Sequence, residues 1–218
     1  MRTALIAAMV AFAAPALAGE ASFDCGRAAT PTEKAICDDG NSDVALRDVA
    51  MSKLYAELKA AGGHEDVLTR HGAWLKTRNA CGSDRDCLRR SYDAQLCVLA
   101  RAGGDDGAAT GSYAYGTGDD EGFGSAFVVR GTDGNLSGEV ESVTGPNAHV
   151  CGLEFEAALP FGDAWLWTDT DTEPDDEGNR CQVLFRVEDA STLRIDSRNC
   201  SLYCGVQGTF DAVYAREK

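Results

Sequence analysis

The sequence predicts an α+β protein in which a small, disulfide-stapled helical domain precedes an antiparallel β-barrel or β-sandwich domain. Apolar residues recur at helical spacing up to about residue 100, whereas they alternate in steps of two, between glycine turns, after residue 110. Nine cysteines are spread over both halves. The segment between the halves, residues 101–110, contains Gly and Asp and no aliphatic side chain larger than alanine, so we expect a flexible linker there.

The first eighteen residues have the pattern of a secretory signal peptide. Arg2 precedes the apolar run ALIAAMVAFAAPALA, which ends on Ala16-Leu17-Ala18, a small-x-small pattern typical of a cleavage site. The alternative, a retained membrane anchor, needs a longer and less alanine-rich run. We therefore expect a periplasmic or secreted chain that has no membrane contact after cleavage. The expected divisions are a signal peptide (1–18), a helical domain (19–100), a linker (101–110) and a β domain (111–218).

The charge balance excludes one class of partner. Without Arg2 the chain has 19 basic and 35 acidic side chains, a formal net charge of −16. Such a surface repels nucleic acid and anionic lipid and attracts cationic proteins. The basic patch with interleaved aromatic residues that nucleic-acid binding requires is missing from the sequence. The simpler interpretation is that the acidic excess keeps an exported protein soluble.

Four helices are expected in the helical domain. Thr30 is predicted to cap the first, with Pro31 at its first position and Glu33 completing a capping box. The second should begin near Asn41 or Ser42, and the fourth at Ser83 with Asp86 as its box partner. Helical spacing predicts the buried faces: Leu46, Val49, Ala50, Leu54 and Leu58 in the second helix; Val67, Leu68, His71, Trp74, Leu75 and Arg78 in the third; Leu88, Tyr92, Leu96 and Leu99 in the fourth.

Eight short strands are expected after the linker. Because no helical segment separates them, as a parallel sheet would require, an antiparallel barrel or sandwich is favoured. Thr132-Asp133-Gly134 is typical of a hairpin turn. The expected strands are Ser112–Gly116, Gly124–Arg130, Leu136–Val143, His149–Ala157, Ala164–Thr168, Arg180–Glu188, Thr192–Asp196 and Val206–Ala215.

The cysteines are interpreted as disulfide partners, because an exported chain is exposed to oxidising conditions. A metal site would need paired CxxC motifs or neighbouring histidines. His64-Glu65 begins like a zinc-protease motif, but Leu68 occupies the position of its second histidine. No cofactor or metal is therefore expected.

Two connectivities are compatible with the helical domain. The local bridges Cys25–Cys37 and Cys81–Cys87 would each fix a helix boundary, whereas the crossing bridges Cys25–Cys87 and Cys37–Cys81 would tie the ends of the domain together. We favour the local bridges. In the β domain we favour Cys151–Cys204 with Cys181–Cys200, which leaves Cys97 unpaired.

Three segments resemble the N-terminal domain of the LprI-type lysozyme-inhibitor family. They are FDCGRAATPTEKAIC (23–37), DVAMSKLY (48–55), and AWLKTRNAC (73–81) followed by CLRRSYDAQL (87–96). The similarity covers about residues 23–99 and implies a disulfide-stapled helical domain with a role in resisting lysozyme. Cys97 departs from the family pattern. The segment YCGVQGTFDAVY (203–214) is distantly similar to small β-barrel inhibitors of C-type lysozyme, and no functional residue is transferred from that likeness.

Polar and aromatic residues within the resembling segments have a structural explanation. Asp48 and Arg78 are expected to pair between facing helices, while Tyr55, Trp74 and Tyr92 fill the seam between them. Buried in this way, they would be scaffold residues, which is the interpretation we favour; the alternative is that they form a binding site for a partner.

The most acidic stretch is DTDTEPDDEGN (169–179). It does not form an EF-hand, because Pro174 replaces the required glycine and Arg180 the final glutamate. One interpretation is a solvated hairpin tip. The other is a docking loop for a cationic protein, whose negative field would speed the encounter. The candidate partner-binding residues are Asp169, Asp171, Glu173, Asp175, Asp176 and Glu177.

Motifs for catalysis are missing from the sequence. It contains no GxSxG elbow or SxxK motif, and its three histidines suggest no catalytic triad, so we expect a protein that is not an enzyme. The leading hypothesis is a periplasmic protein that binds and inhibits lysozyme or a similar cationic wall-cleaving enzyme. The alternative is a non-inhibitory envelope module that binds a protein or glycan, and an uncharacterised hydrolase ranks third.

Overall fold

The chain folds as a group of helices followed by a closed antiparallel β-barrel. The computed structural model describes residues 21–105, 109–117, 122–145, 147–205 and 207–217. This arrangement confirms the predicted α+β class, and the closed sheet selects a barrel over a sandwich. The proposed signal peptide lies outside the described residues.

The first and fourth helices begin where a side chain accepts from a free N–H group of the first turn, whereas the second and third begin without a side-chain cap. Glu33 N–H donates to Thr30 Oγ1 at 3.1 Å while Thr30 N–H donates to Glu33 Oε2 at 2.8 Å, which is the expected capping box. The fourth helix starts later than expected, because the carboxylate of Asp84 accepts from Cys87 N–H at 3.0 Å and provides the cap. The helices are α1 (Pro31–Ile36), α2 (Ser42–Ala61), α3 (Glu65–Ala80) and α4 (Arg85–Ala102).

The buried face of α2 differs from the expected one. Val49 is exposed, whereas Met51 is buried and Arg47 and Asp48 lie in the interior beside it. The true face follows helical spacing, but two of its positions carry charged side chains that an apolar pattern does not reveal. Leu75 of α3 is likewise exposed. The expected face of α4 is fully buried and consists of Leu88, Tyr92, Leu96 and Leu99.

The barrel is an up-and-down meander. Each strand pairs antiparallel with its neighbour in sequence, and β1 pairs with β8 to close the sheet. A closed sheet has no free edge that could pair with another chain. The strands are β1 (Gly111–Tyr115), β2 (Gly122–Arg130), β3 (Leu136–Thr144), β4 (His149–Phe161), β5 (Ala164–Thr168), β6 (Gln182–Asp189), β7 (Thr192–Arg198) and β8 (Ala212–Arg216).

The last strand begins later than the sequence indicates. A short helix, α5 (Ser201–Cys204), precedes it, and residue 206, where a strand was expected to start, lies outside the described residues. The Cys151–Cys204 disulfide ties this helix to β4. Gly208 passes close to this helix, since a Cβ there would lie 2.3 Å from the Cys204 carbonyl oxygen. The disulfide and this close approach hold the segment before β8 out of the sheet, so that β8 begins only at Ala212.

Four disulfides form, and each joins two cysteines of the same half of the chain. The helical half has the local bridges and not the crossing ones, and all four pairs are Cys25–Cys37, Cys81–Cys87, Cys151–Cys204 and Cys181–Cys200. Cys97 is free and half-buried, and its thiol donates to the Thr110 carbonyl oxygen at 3.4 Å. Burial raises the pKa of Cys97.

The two halves pack against each other, and of the expected linker (101–110) residues 106–108 lie outside the described residues. Phe127 and Val129 point outward from β2 into the core formed by the helices. Helix α4 continues through Ala102, and the buried carboxylate of Asp105 accepts a hydrogen bond from Thr110 N–H at 3.0 Å. The described part of the connection is therefore ordered by packing and hydrogen bonding, despite its Gly- and Asp-rich composition.

Candidate functional site: the acidic loop

The acidic residues identified in the sequence form the β5–β6 connection, residues 169–181, which we call the acidic loop. It leaves the barrel at Thr168 and returns at Gln182, directly after Cys181. The Cys181–Cys200 disulfide fastens its returning end to the segment that follows β7. The loop is thus covalently anchored to the barrel at its base.

Asp169 holds the first turn of the loop and does not face solvent. Its side chain accepts hydrogen bonds from Asp171 N–H at 2.9 Å, from Thr172 N–H at 3.1 Å and from the Thr172 hydroxyl. Burial alone would raise the pKa of Asp169, but these hydrogen bonds outweigh it and the pKa is lowered. Because the residue is only 1% exposed, its expected role in binding a partner is replaced by a structural one.

Asp175 orders the tip of the loop in the same way, although it is exposed. Its Oδ1 accepts hydrogen bonds from Glu177 N–H at 3.0 Å and Asn179 N–H at 2.7 Å. The Asp175 N–H in turn donates to the Asn179 carbonyl at 2.9 Å. The hydrogen bond from the Asn179 backbone N–H is the largest cause of the lowered pKa of Asp175. The tip is therefore a hydrogen-bonded turn whose carboxylate is ionised at neutral pH.

The remaining candidate carboxylates face solvent. They are Asp171, Glu173, Asp176 and Glu177. The backbone that carries them is fixed by Asp169 and Asp175, and also by Arg180, which donates to the Asp169 carbonyl at 3.2 Å. The loop can present several negative charges to a partner without first having to fold.

The five residues expected to form a scaffold converge in the helical core. The Tyr92 hydroxyl donates to Asp48 Oδ1 at 2.6 Å, and an Arg78 guanidinium nitrogen lies 3.6 Å from the same oxygen. Trp74 Nε1 donates to the Ser91 carbonyl at 3.1 Å. The Trp74 and Tyr92 rings meet edge to face with centroids 5.4 Å apart.

Tyr55 joins this group through His71. The centroids of the Tyr55 and His71 rings are 4.6 Å apart, and those of His71 and Trp74 are 5.0 Å apart. Burial lowers the pKa of His71, whose Nδ1 is 3.2 Å from Gln95 Nε2. These contacts place the rings in the seam between α2, α3 and α4, where they stabilise packing, while Tyr55 and Trp74 each stay half-buried.

One hydrogen-bond partner of Asp48, Ser22, was not predicted from the sequence. Ser22 donates to Asp48 Oδ2 from its backbone N–H at 2.9 Å and from its hydroxyl at 2.6 Å. Asp48 thus receives hydrogen bonds from three donor groups in addition to its ion pair. Since Ser22 precedes the first helix, no local pattern connects it with Asp48.

Within the described ranges, no three histidine, cysteine, aspartate or glutamate side chains are placed to hold a metal ion. Among the same residues, none of the helices combines the length and apolar character that a bilayer crossing requires. Four disulfides are typical of a protein in an oxidising compartment, as in secreted proteins.

Comparisons leave the LprI-type resemblance as a prediction from the quoted segments. Comparison of the chain with protein-family models, curated proteins and solved structures gave no match.

Proposed function

We propose that this chain is an exported, periplasmic protein that binds and inhibits lysozyme or a similar cationic wall-cleaving enzyme. The observation that carries the proposal is the acidic loop, in which Asp169 and Asp175 hold an ordered frame and four carboxylates face solvent. A positively charged partner is the class of protein that such a loop attracts.

The ordered loop favours binding through entropy as well as charge. A flexible acidic segment would have to be immobilised on binding, which costs free energy for each side chain and backbone unit that is ordered. Hydrogen bonds and the Cys181–Cys200 disulfide have already fixed this loop. Its negative field would mainly raise the association rate, and the effect should weaken as salt increases.

The export signal and the resemblance to the LprI-type family support the same assignment. The signal pattern would bring the protein to the compartment that wall-cleaving enzymes reach, and the resemblance implies a role in resisting lysozyme. The net charge of −16 after signal cleavage opposes the charge of a cationic enzyme.

Turbidity clearing of bacterial cell walls by a C-type lysozyme tests the proposal. The purified mature chain, added at about 10 µM in low salt, should slow the clearing, and the inhibition should weaken at about 150 mM salt. Clearing at an unchanged rate under low salt would leave the non-inhibitory envelope module as the better assignment.

A charge-neutralised loop variant connects inhibition with the loop. The double variant Glu173→Gln/Asp176→Asn removes two charges that take no part in the loop hydrogen bonds described above. It should inhibit more weakly in low salt than the control Asp39→Asn/Asp66→Asn, which removes two exposed charges from the helical half. Equal inhibition by the two variants would show that the loop is not the source of the attraction.

A further inference from the structure

Part of the outer face of the barrel is apolar where solvent would favour polar side chains. Leu159 of β4 pairs with Leu166 of β5, which pairs with Leu184 of β6, so three leucines stand side by side across three strands. Phe161 follows two residues after Leu159. We call Leu159, Phe161, Leu166 and Leu184 the outer patch.

The pairing register explains why these side chains point outward. On β5, Trp165 and Trp167 pack against the barrel core, so Leu166 between them faces the other side of the sheet. On β6, Val183 and Phe185 are buried in the barrel, so Leu184 also points away from it. The positions of these leucines are therefore fixed by the closed barrel and are not the result of a loose surface loop.

Two members of the outer patch are strongly exposed. Leu159 is 58% exposed and Phe161 is 61% exposed. Scattered apolar residues are normal on a protein surface, but a contiguous group that includes an exposed aromatic ring is typical of an interaction site. Aromatic and large aliphatic anchors of this kind also provide much of the binding energy in protein interfaces.

Carboxylates outnumber basic side chains around the patch. Arg186, two residues after Leu184 on the same face of β6, is paired with Asp163 at 3.8 Å. Phe161 and Leu166 form a ridge between two hollows, one of about 830 Å³ and one of about 570 Å³, and both residues line both hollows. Arg198 is the one basic side chain among the described residues that line them. The acidic side chains in the lining are Glu154, Glu156 and Asp171 in the larger hollow, and Asp196 and Asp211 in the smaller.

We infer that the outer patch, with its acidic rim, is the surface that contacts a cationic protein partner. An apolar centre within a polar rim is the usual anatomy of a protein interface, and the charge of this rim selects a basic partner. Asp171 belongs to both the rim and the acidic loop, so the two features form one continuous surface. The inference rests on the proposed function, because it locates the contact surface of the same inhibitor.

The same rim argues against a second copy of this chain as the occupant. Two identical patches placed face to face would bring their carboxylates together, and like charges across an interface are unfavourable. A basic enzyme brings the opposite charge to this acidic rim.

The surface can be tested with two matched lysine variants on one strand. Leu159 and Val150 both lie on β4, both face outward, and are 58% and 66% exposed. Only Leu159 belongs to the outer patch, while Val150 pairs with Val143 at the far end of the strand. Leu159→Lys and Val150→Lys therefore change net charge equally and differ in position. Phe161→Ser adds a variant of the patch that leaves the charge unchanged.

Calorimetric titration of a C-type lysozyme into each mature chain measures how much each substitution changes the affinity. Leu159→Lys and Phe161→Ser should each weaken binding about tenfold or more, whereas Val150→Lys should change it less than about threefold. Melting curves of the free chains check that all variants fold. If both patch variants bind as tightly as Val150→Lys, the surface assignment is wrong while the proposed inhibition stands. No binding by the unmodified chain overturns both proposals.

Sedimentation of the free chains tests the other possible occupant of the outer patch, a second copy of this chain. The unmodified chain should stay monomeric at concentrations where it binds lysozyme. A dimer that Leu159→Lys dissociates and Val150→Lys does not would assign the patch to a second copy of the chain and overturn the inference.

Discussion

The guanidinium carbon of Arg47 in α2 lies 4.1 Å from the centre of the Phe127 ring in β2, so a buried cation–π contact joins the helices to the barrel. The same guanidinium bonds Asp93 of α4 at 2.8 Å and donates to the Ser112 hydroxyl of β1 at 2.7 Å. Ser112 donates in turn to Asp93 at 2.9 Å. Three elements distant in sequence therefore meet at one charged side chain.

Arg47→Met should destabilise the whole chain, because it removes these contacts and leaves Asp93 without its buried partner. Breaking a buried ion pair costs about 3 kcal/mol, and denaturant unfolding measures the loss. Arg85→Met provides the control, because the Arg85 side chain is 50% exposed and that of Arg47 is 3% exposed. An exposed pair contributes less than about 1 kcal/mol. Equal losses in the two variants would contradict a structural role for Arg47.

Trp74→Ala should lower the free energy of unfolding by about 2–3 kcal/mol, because a large half-buried ring is lost from the seam. The hydrogen bond from Trp74 Nε1 to the Ser91 carbonyl is lost with it. Leu75→Ala, at the exposed neighbouring position, should cost under about 1 kcal/mol. Thermal melting compares the two variants. A Trp74→Ala chain with unchanged stability that no longer binds lysozyme would identify Trp74 as a contact residue.

Thiol counting tests the disulfide pattern. The chain unfolded without reductant should show one reactive thiol, that of Cys97, because the other eight cysteines are bridged. In the folded chain that thiol should react slowly, since it is half-buried and burial raises its pKa. Alkylation followed by mass measurement gives both numbers. A count of zero or of three thiols in the unfolded chain would contradict the pattern.

The stability of the chain should depend on pH through Glu139 of β3. Burial, followed by the charge of Glu141, raises the pKa of Glu139 from 4.5 to about 7, and Arg47 opposes this only in part. The Glu139 carboxyl therefore binds its proton more tightly in the folded chain than in the unfolded chain. The contribution of Glu139 to stability therefore falls as pH rises from about 4.5 to about 7 and is constant above that range.

Glu139→Gln removes this contribution, so its melting temperature should fall less than that of the unmodified chain between pH 5 and pH 8. Glu156→Gln, at an exposed position on β4, serves as the control and should keep the full fall. The charges of Glu141, Glu154 and Asp43 raise the pKa of Glu139, and that of Arg47 lowers it. An identical fall in the Glu139→Gln chain would rule out Glu139 as the titrating group.

Elements fixed by local chemistry could be predicted from the sequence. The capping box of Thr30 and Glu33 needs only four adjacent residues, and it forms as expected. The buried face of α2 could not be read in the same way. Arg47 and Asp48 are buried because Asp93, Ser112 and Tyr92 satisfy them, and those partners lie about 40 or more residues away in the chain.

The candidate site was likewise predictable only in part, because some of its features depend on contacts between distant residues. Composition alone identified the acidic loop, but it could not distinguish Asp169, which turns inward to Thr172, from the carboxylates that face solvent. The outer patch was also not predicted. Strand β5 has the sequence AWLWT, which is apolar on both faces, so alternation does not indicate that Leu166 points outward. Closure of the barrel around Trp165 and Trp167 decides that question.

Titration calorimetry of a C-type lysozyme into the mature chain in low salt tests most directly the claim that this protein binds a cationic enzyme. We expect saturable heat with one enzyme bound per chain, a dissociation constant of about 1 µM or tighter, and weaker binding at about 150 mM salt. The absence of saturable heat at about 100 µM of the chain in low salt would contradict the account.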